Sequence, residues 1–251
     1  MNPGDILPYD WDLSLIALSY VVAVVGSFIA LHCARSIPQG DGRVNRLALW
    51  ASAVALGGGA VWYMHFIGMA AVVPPRSLAI RYDLLITVGS MLAAIVVAAA
   101  ALFIVGRNPK NIGNLLLGGV FAGSGVAIMH YIGMGAMRMQ AVMQWNTPIV
   151  AVSVAIAIAA ATAALWLTFN AQSVLHRTVA AVVMGIAVCG MHYTGMYAGT
   201  FVCAADSGAG DLPTIGGQFF PYAVAILGAM LLAVVNILAA LGGGRHELTP
   251  A

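Results

Sequence analysis

The amino-acid sequence predicts an all-α protein of the membrane class: a polytopic helical bundle of seven transmembrane helices with a three-fold internal two-helix repeat. Of its 251 residues, 62% are hydrophobic and only 7% carry a formal charge, whereas roughly 25% are charged in an ordinary soluble domain. The apolar residues form long runs that are separated by short polar segments. This composition excludes a water-soluble globular enzyme and a disordered chain.

Seven apolar runs have the length that a membrane span requires, because a bilayer core of about 30 Å takes about 20 helical residues. They cover residues 13–34, 47–73, 84–105, 112–137, 148–169, 178–202 and 221–241. We therefore predict three parts: an outer N-terminal segment over 1–12, a seven-helix membrane domain over 13–241, and a short cytoplasmic tail over 242–251.

The basic residues between the spans predict the orientation of the chain, since cytoplasmic loops carry an excess of Lys and Arg. One set of alternate loops, with the C-terminal tail, holds Arg35, Arg43, Arg46, Arg107, Lys110, Arg177 and Arg245. The other set holds Arg76, Arg81 and Arg138. This asymmetry predicts a multi-pass protein of the cell inner (cytoplasmic) membrane, with its N-terminus outside and its C-terminus in the cytoplasm.

A six-residue motif recurs late in each even-numbered span. It reads MHFIGM at 64–69, MHYIGM at 129–134 and MHYTGM at 191–196, so that each repeat corresponds to two helices. A glycine also precedes each histidine by seven residues. The repeated positions are His65, His130 and His192; Met64, Met69, Met129, Met134, Met191 and Met196; and Gly58, Gly68, Gly123, Gly133, Gly185 and Gly195.

At 100° per residue, the motif places glycine, histidine and the second methionine on one helical face. We interpret the six glycines as helix-packing positions, because small residues let membrane helices approach closely. The even-numbered spans run in the same direction, and each histidine lies roughly 20–27 Å from the start of its span. The three histidines are therefore expected at similar depth near the outer face, on parallel helices around a pseudo-threefold axis.

The ligand types indicate a soft metal. Imidazole binds several transition metals, and thioether sulfur favours Cu(I). Hard cations require carboxylates, and none lies inside a predicted span. Copper suits the three histidines and six methionines best, and copper with an open position binds O₂, CO or NO. A single membrane histidine is more often a helix–helix hydrogen-bond partner and a methionine more often core filler, but three equivalent copies favour a functional site.

Three functions remain open at this point. The first is a copper-dependent membrane sensor. The second is a transporter or channel for copper or another small solute, and the third is a haem-binding membrane protein with His/Met ligation. We expect no enzymatic activity, because no nucleophile motif or phosphate loop is present. We expect the lipid bilayer as a partner, and no nucleic acid because no basic run is available for phosphates.

The three motifs resemble the MHYT domain, a bacterial integral-membrane sensor domain. The resemblance covers about residues 10–241, with Phe66 in place of the motif tyrosine in the first copy and Ile67 and Ile132 in place of the threonine. It implies seven spans, copper bound by the motif histidines and methionines, and sensing of a diatomic gas or another signal. Family members often continue into an output domain for cyclic di-GMP turnover or a histidine kinase. Because this sequence stops after GGGRHELTPA, we expect a cytoplasmic signalling partner or a longer parent protein.

Overall fold

The computed structural model describes residues 2–39, 42–75, 80–171, 173–204, 213–216 and 220–243. These residues form a bundle of helices with short strands at one end. The helices are α1 (Leu13–Ala34), α2 (Arg46–Ala70), α3 (Leu84–Gly106), α4 (Ile112–Gly135), α5 (Thr147–Asn170), α6 (Val174–Tyr197) and α7 (Phe220–Gly243).

The predicted all-α membrane bundle is confirmed. Helices α1 to α6 are each long and apolar enough to cross a bilayer. Helix α7 packs on α1 and α2, and its role as a seventh span stays a prediction. The outward faces of the bundle carry exposed aliphatic side chains such as Leu92, Val96 and Leu117, as expected for a surface in contact with lipid.

Each of the first six helices begins at a polar residue whose side chain accepts hydrogen bonds from the backbone of the first turn. These N-caps are Asp12, Asn45, Asp83, Asn111, Asn146 and Ser173. Such caps satisfy backbone N–H groups that have no partner inside the helix. They explain why the apolar runs become helices at nearly the positions that the sequence predicts.

The helices are joined in pairs at one end of the bundle, which we call the motif end because the three motifs lie there. The N-caps of α1, α3 and α5 donate their backbone N–H groups to alanines that follow α2, α4 and α6. The three bonds, each 2.8 Å long, are Asp12 N to Ala71 O, Asp83 N to Ala136 O, and Asn146 N to Ala198 O. The two-helix repeat therefore has the same backbone closure in all three copies.

Short antiparallel ribbons accompany each closure. Strands β1 (Asp10–Trp11) and β2 (Val72–Val73) pair in the first repeat, β3 (Arg81–Asp83) and β4 (Met137–Arg138) in the second, and β5 (Ala141–Trp145) and β6 (Gly199–Cys203) in the third. Strand β7 (Thr214–Gly216) adds to β3. Residues 72–73, 137 and 199–202 were predicted as parts of spans and are strands, and α6 begins at Val174 instead of 178.

The six long helices form a closed ring, in which each helix contacts the preceding and the following one and α6 returns to α1. The even-numbered helices bring their motif faces together inside this ring, and α7 lies outside it against the first repeat. The arrangement is the pseudo-threefold one that the repeat predicts. The tail from residue 244 onward, and Arg76 and Arg245 of the charge argument, lie outside the described residues.

Helix α2 departs from regular α geometry directly before its motif. Residues Val54–Tyr63 form a π-helix, in which N–H groups bond five residues back. This wider turn shifts the helical face upstream of His65, so that the closest approach of α2 to α3 falls at Gly57 instead of Gly58. A Cβ at Gly58 would make only an ordinary 3.5 Å contact with Ile95, whereas one at Gly57 would lie 2.5 Å from the carbonyl oxygen of Ala94.

The other two glycines at the same repeat position each lie close against a neighbouring helix. A Cβ at Gly123 would collide with the backbone of Ile158 in α5, and one at Gly185 would lie 2.6 Å from a methyl group of Val24 in α1. Each even-numbered helix thus approaches a neighbouring odd-numbered helix through a glycine, α4 on α5 and α6 on α1. In the first repeat, α2 approaches α3 through Gly57.

The carboxylate of Asp83 forms contacts at the motif end that should be sensitive to acid. Its carboxylate accepts hydrogen bonds from the backbone N–H groups of Ile86 and Leu85 and forms a 3.0 Å ion pair with Arg138. The backbone bond from Ile86, followed by Arg138, lowers the pKa of Asp83 below 3.8. Because the folded-state pKa is depressed, this stabilisation is present above about pH 4 and is lost as pH falls through the folded value.

We therefore expect Asp83→Asn to lower the unfolding temperature at pH 7 and to reduce its acid dependence below pH 4, as followed by circular dichroism in detergent. Arg81→Gln is the control, since Arg81 is an exposed neighbour in the same strand that bonds only Thr214 by its side chain, at 3.4 Å, among the described residues. An unchanged acid dependence in Asp83→Asn would contradict the assignment.

Candidate metal centre

The three motif histidines lie at one level near the motif end. Each stands five residues before the last residue of its helix, which is Ala70 in α2, Gly135 in α4 and Tyr197 in α6. His65 is 1% exposed, and His130 and His192 are 0% exposed. The common distance from the helix end follows from the identical closures, which hold the even-numbered helices in the same axial register.

The three imidazole rings face one another through the same atom. The Nδ1 of His65 lies 3.1 Å from the Nδ1 of His192 and 3.1 Å from that of His130, and the last pair is separated by 3.3 Å. Ring centroids are 4.9–5.1 Å apart, and the planes cross at 72–89°. The rings thus form a three-bladed arrangement with a triangle of nitrogen atoms at its centre.

The opposite ring nitrogens pack against the motif glycines in a cyclic order. A Cβ at Gly133 would meet the Nε2 of His65, one at Gly195 would meet the Nε2 of His130, and one at Gly68 would lie 2.5 Å from the Nε2 of His192. Within the described part of the chain, these buried Nε2 atoms have no hydrogen-bond partner. The glycine within each motif therefore makes room for the histidine of a neighbouring repeat. This role goes beyond the helix packing that was expected of it.

The six motif methionines are all buried, with 0–2% of each side chain exposed. Those that follow the histidines by four residues are Met69, Met134 and Met196, and they belong with Met129 to one continuous hydrophobic cluster at the motif end. Met191 packs with Ala127 and Ala157 in a separate cluster, and Met64 is 1% exposed. The three even-numbered helices therefore carry buried thioether-bearing residues on both sides of each triad histidine in the sequence.

Comparisons with known proteins agree with the repeat. The family profile described as "Bacterial signalling protein N terminal repeat", MHYT, matches residues 58–118 and 123–181. Both matches begin at the glycine that stands seven residues before a motif histidine. The chain belongs to the MHYT family. The third MHYT copy, around His192, follows the matched residues and joins the other two in the structure.

Three relatives of this MHYT chain carry names of cyclic di-GMP enzymes or of a signalling protein. It is 38% identical over 200 residues to the bifunctional diguanylate cyclase/cyclic di-GMP phosphodiesterase MucR of Pseudomonas aeruginosa, covering 78% of this chain and 29% of that protein. It is 34% identical to the signaling protein YkoW of Bacillus subtilis, over 76% and 24%. It is also 34% identical to the cyclic di-GMP phosphodiesterase NbdA of Pseudomonas aeruginosa, over 74% and 24%.

The chain thus spans about a quarter of the length of these relatives. No solved structure matched this MHYT chain.

The motif tyrosines form hydrogen bonds to serines of the neighbouring odd-numbered helices. Tyr131 bonds the hydroxyl of Ser153 at 2.5 Å, and Tyr193 bonds that of Ser19 at 2.8 Å. Both rings contact the preceding histidine edge-on, at centroid distances of 4.8–4.9 Å. The tyrosines of the MHYT motif thereby tie α4 to α5 and α6 to α1 beside the triad.

The first repeat keeps this bond with different residues. Phe66 has no hydroxyl group, and the indole Nε1–H of Trp62 donates instead to the hydroxyl of Ser90, at 3.0 Å, and to the carbonyl of Thr87, at 3.1 Å. Trp62 also contacts the Phe66 ring, with 4.7 Å between centroids. Every even-numbered helix is therefore bonded to an odd-numbered one through a serine.

Sequence reasoning missed these serines, although a signal for them exists. Ser19, Ser90 and Ser153 each stand seven residues after the N-cap of their helix, and each donates to the carbonyl three residues back. The repeat therefore includes the odd-numbered helices. Their apolar sequences hide this, because besides a polar cap and the serine they share only two alanines and one leucine, residues that are common in any membrane span.

The nitrogen triangle has the size that a metal ion requires. A point equidistant from three atoms with the observed separations is about 1.8 Å from each in their plane and about 2.0 Å from each when displaced by roughly 0.8 Å, against metal–imidazole bonds of about 2.0–2.1 Å. A neutral imidazole carries one N–H, so three Nδ1 lone pairs can converge when each proton is on Nε2. The residues present therefore fit a three-histidine metal site.

Proposed function

We propose that this chain is a membrane sensor domain that holds one copper ion between the Nδ1 atoms of His65, His130 and His192. The observation that carries the proposal is the buried nitrogen triangle with sides of 3.1–3.3 Å. When each imidazole carries its proton on Nε2, the three Nδ1 lone pairs converge and repel one another unless a cation binds between them, and burial removes the water that would otherwise separate them. A metal ion at this position relieves both costs.

Copper is favoured over other metals by the surroundings. In the described residues, the metal-capable cluster consists of the three histidines alone, without a carboxylate or thiolate. The other candidate ligands in the motifs are buried methionines, whose soft sulfur suits Cu(I). Hard divalent cations are disfavoured because they draw on oxygen ligands that this centre lacks. Zinc accepts three imidazoles, but it is a poor partner for the thioether sulfur of the motif methionines.

Copper in this centre would supply an open coordination position for O₂, CO or NO. The protein residues hold the ion, keep it away from water and set the depth at which a gas molecule meets it. The tyrosine–serine and tryptophan–serine bonds fix the ring of helices around the triad. A ligand that changes the metal–nitrogen distances would therefore act on all three repeats at once.

The chain is proposed to lie in the inner membrane with the motif end outside. The odd-numbered helices begin at the motif end, so the basic residues of the alternate loops fall at the opposite end, as the positive-inside rule requires of a cytoplasmic side. Relatives carry names of cyclic di-GMP enzymes. We propose a cytoplasmic signalling partner or continuation of that kind, and a sensory instead of a catalytic role for the segment itself.

The other two candidate functions are less well supported. A porphyrin cannot be placed between rings whose nitrogens are 3.1 Å apart and whose opposite edges pack on glycine, which argues against haem. A copper channel needs polar or ligand-bearing residues along the whole path. The interior next to the triad, on the side away from the motif end, is lined by Ala, Val, Leu, Gly and Met. This apolar lining favours sensing over transport.

The proposal is tested by elemental analysis of the purified protein. We expect about one copper per chain after loading with Cu(I), and loss of that copper in His130→Ala, because two imidazoles remain and the buried position is left incomplete. His176→Ala is the matched control, since His176 is exposed at the opposite end of α6. It should retain the metal.

Circular dichroism of each variant is measured beside its copper content, because it distinguishes loss of a copper ligand from unfolding of the protein. A folded wild type that binds no copper would overturn the proposal. Full copper retention in the triple variant His65→Ala, His130→Ala, His192→Ala would overturn it equally.

A further inference from the structure

A cavity lies within the bundle, and its walls are formed by helices α2 to α6. Its volume is about 60 Å³, and it is lined only by Ala, Val, Leu, Gly and Met side chains from five helices. The lining includes Val61, Val126 and Val188, each of which stands four residues before a motif histidine. Four helical residues correspond to a rise of about 6 Å, so the cavity reaches to within about one helical turn of the nitrogen triangle.

The chemistry of the lining excludes most ligands. A water molecule needs two to four polar partners to remain in a cavity, and cavities lined by aliphatic side chains stay dry and take up apolar molecules or xenon. The volume is roughly four to six times the 10–15 Å³ that one water needs. This space suits one small uncharged molecule that makes no hydrogen bonds and is too small for a lipid chain or an aromatic compound.

The abundance of alanine explains why the space exists. Helix α5 contributes Ala157, Ala160, Ala161 and Ala164 to the wall, and α5 is the helix whose backbone approaches Gly123 of α4 most closely. Alanines therefore make up much of the wall, and the few larger side chains, such as Leu165 and Met191, leave the space between them unfilled. Replacing one alanine by leucine would fill much of it.

We propose that this cavity is a binding site for a small apolar gas molecule, distinct from the metal centre and on its inner side. Met191 belongs to both regions, because it lines the cavity and directly precedes His192. The cavity concentrates an apolar gas next to the triad in a place that water does not occupy. Gas binding rests on the cavity alone, whereas its contribution to sensing rests on the proposed function.

Xenon is the probe for this site, because it enters apolar cavities and does not ligate copper. We expect metal-free protein in detergent to show a saturable ¹²⁹Xe chemical-shift change beyond that of empty micelles. In Ala161→Leu the saturable component should be lost, since the new side chain occupies the space. In Ala159→Leu, an exposed position of the same helix, it should be unchanged.

A second variant changes the cavity in the opposite direction. Leu165→Ala removes a larger side chain from the same α5 wall, which enlarges the cavity and should strengthen xenon binding, so a poorly folded Ala161→Leu does not end the test. Wild-type protein with no saturable component, or equal binding in Ala161→Leu and Ala159→Leu, would overturn the gas site. Copper analysis of the same variants is a separate readout, because all three should bind copper as the wild type does even if the xenon site fails.

Discussion

Replacement of Gly133 by alanine should severely disrupt the triad. The new Cβ would collide with the Nε2 of His65, and that ring cannot retreat because its other edge faces His130 and His192 at 3.1 Å. Overpacking of this kind costs about 1–3 kcal/mol of unfolding free energy. We expect a clear fall in the unfolding temperature together with at least about a tenfold loss of copper affinity.

The chain offers a close control for this substitution. Gly135 lies two residues further along the same helix, and a Cβ there would meet nothing within 4 Å. Gly135→Ala should therefore leave both the unfolding temperature and copper affinity near those of the wild type. Equal behaviour of the two variants in thermal melts and copper titrations would show that the glycine does not seat the histidine.

The cyclic order extends the same expectation to the other repeats. Gly195 packs against the ring of His130, and Gly68 packs against the ring of His192. Gly195→Ala should therefore lower the unfolding temperature and the copper affinity as Gly133→Ala does. Gly190 is its control in α6, again with open space around a Cβ. A site in which the histidine of each repeat rests on the glycine of the next cannot form from one repeat alone. This explains in physical terms why the motif occurs three times in one chain.

The sequence was sufficient to predict the class of fold and the convergence of the histidines. Apolar runs and their caps set the helices, and a two-helix period places His65, His130 and His192 on helices that run in one direction. Neither step needs knowledge of distant contacts, because hydrophobicity and period are local properties of the chain. The residues of the candidate site therefore stood out, whereas the choice of Nδ1 as the inward atom did not.

The contacts between repeats could not be predicted, because they depend on how the ring closes. Ser153 is a single hydroxyl in an apolar helix until Tyr131 lies beside it, and Trp62 replaces a missing tyrosine from the neighbouring turn of its own helix. The short strands could not be predicted for another reason. Sequences such as Val72–Val73 are apolar enough to continue a span, and only pairing with Asp10–Trp11 decides that they do not.

The π-helical stretch of α2 leads to the second large effect, in which sequence and structure make opposite predictions. The repeat assigns the close helix approach to Gly58, seven residues before His65, but the wider turns of Val54–Tyr63 move Gly57 into that place. A Cβ at Gly57 would lie 2.5 Å from the carbonyl oxygen of Ala94, and a backbone atom cannot rotate away. We expect Gly57→Ala to lower the unfolding free energy by about 1–3 kcal/mol.

Gly58→Ala is both the control and the discriminating measurement. Its Cβ would sit at an ordinary 3.5 Å from Ile95, and alanine in a helix interior is favoured over glycine by about 0.5–1 kcal/mol. Thermal unfolding in detergent should therefore place Gly58→Ala at or above the wild type and Gly57→Ala well below it. The reverse order would mean that α2 keeps regular α geometry up to His65, and that all three repeats use the same glycine after all.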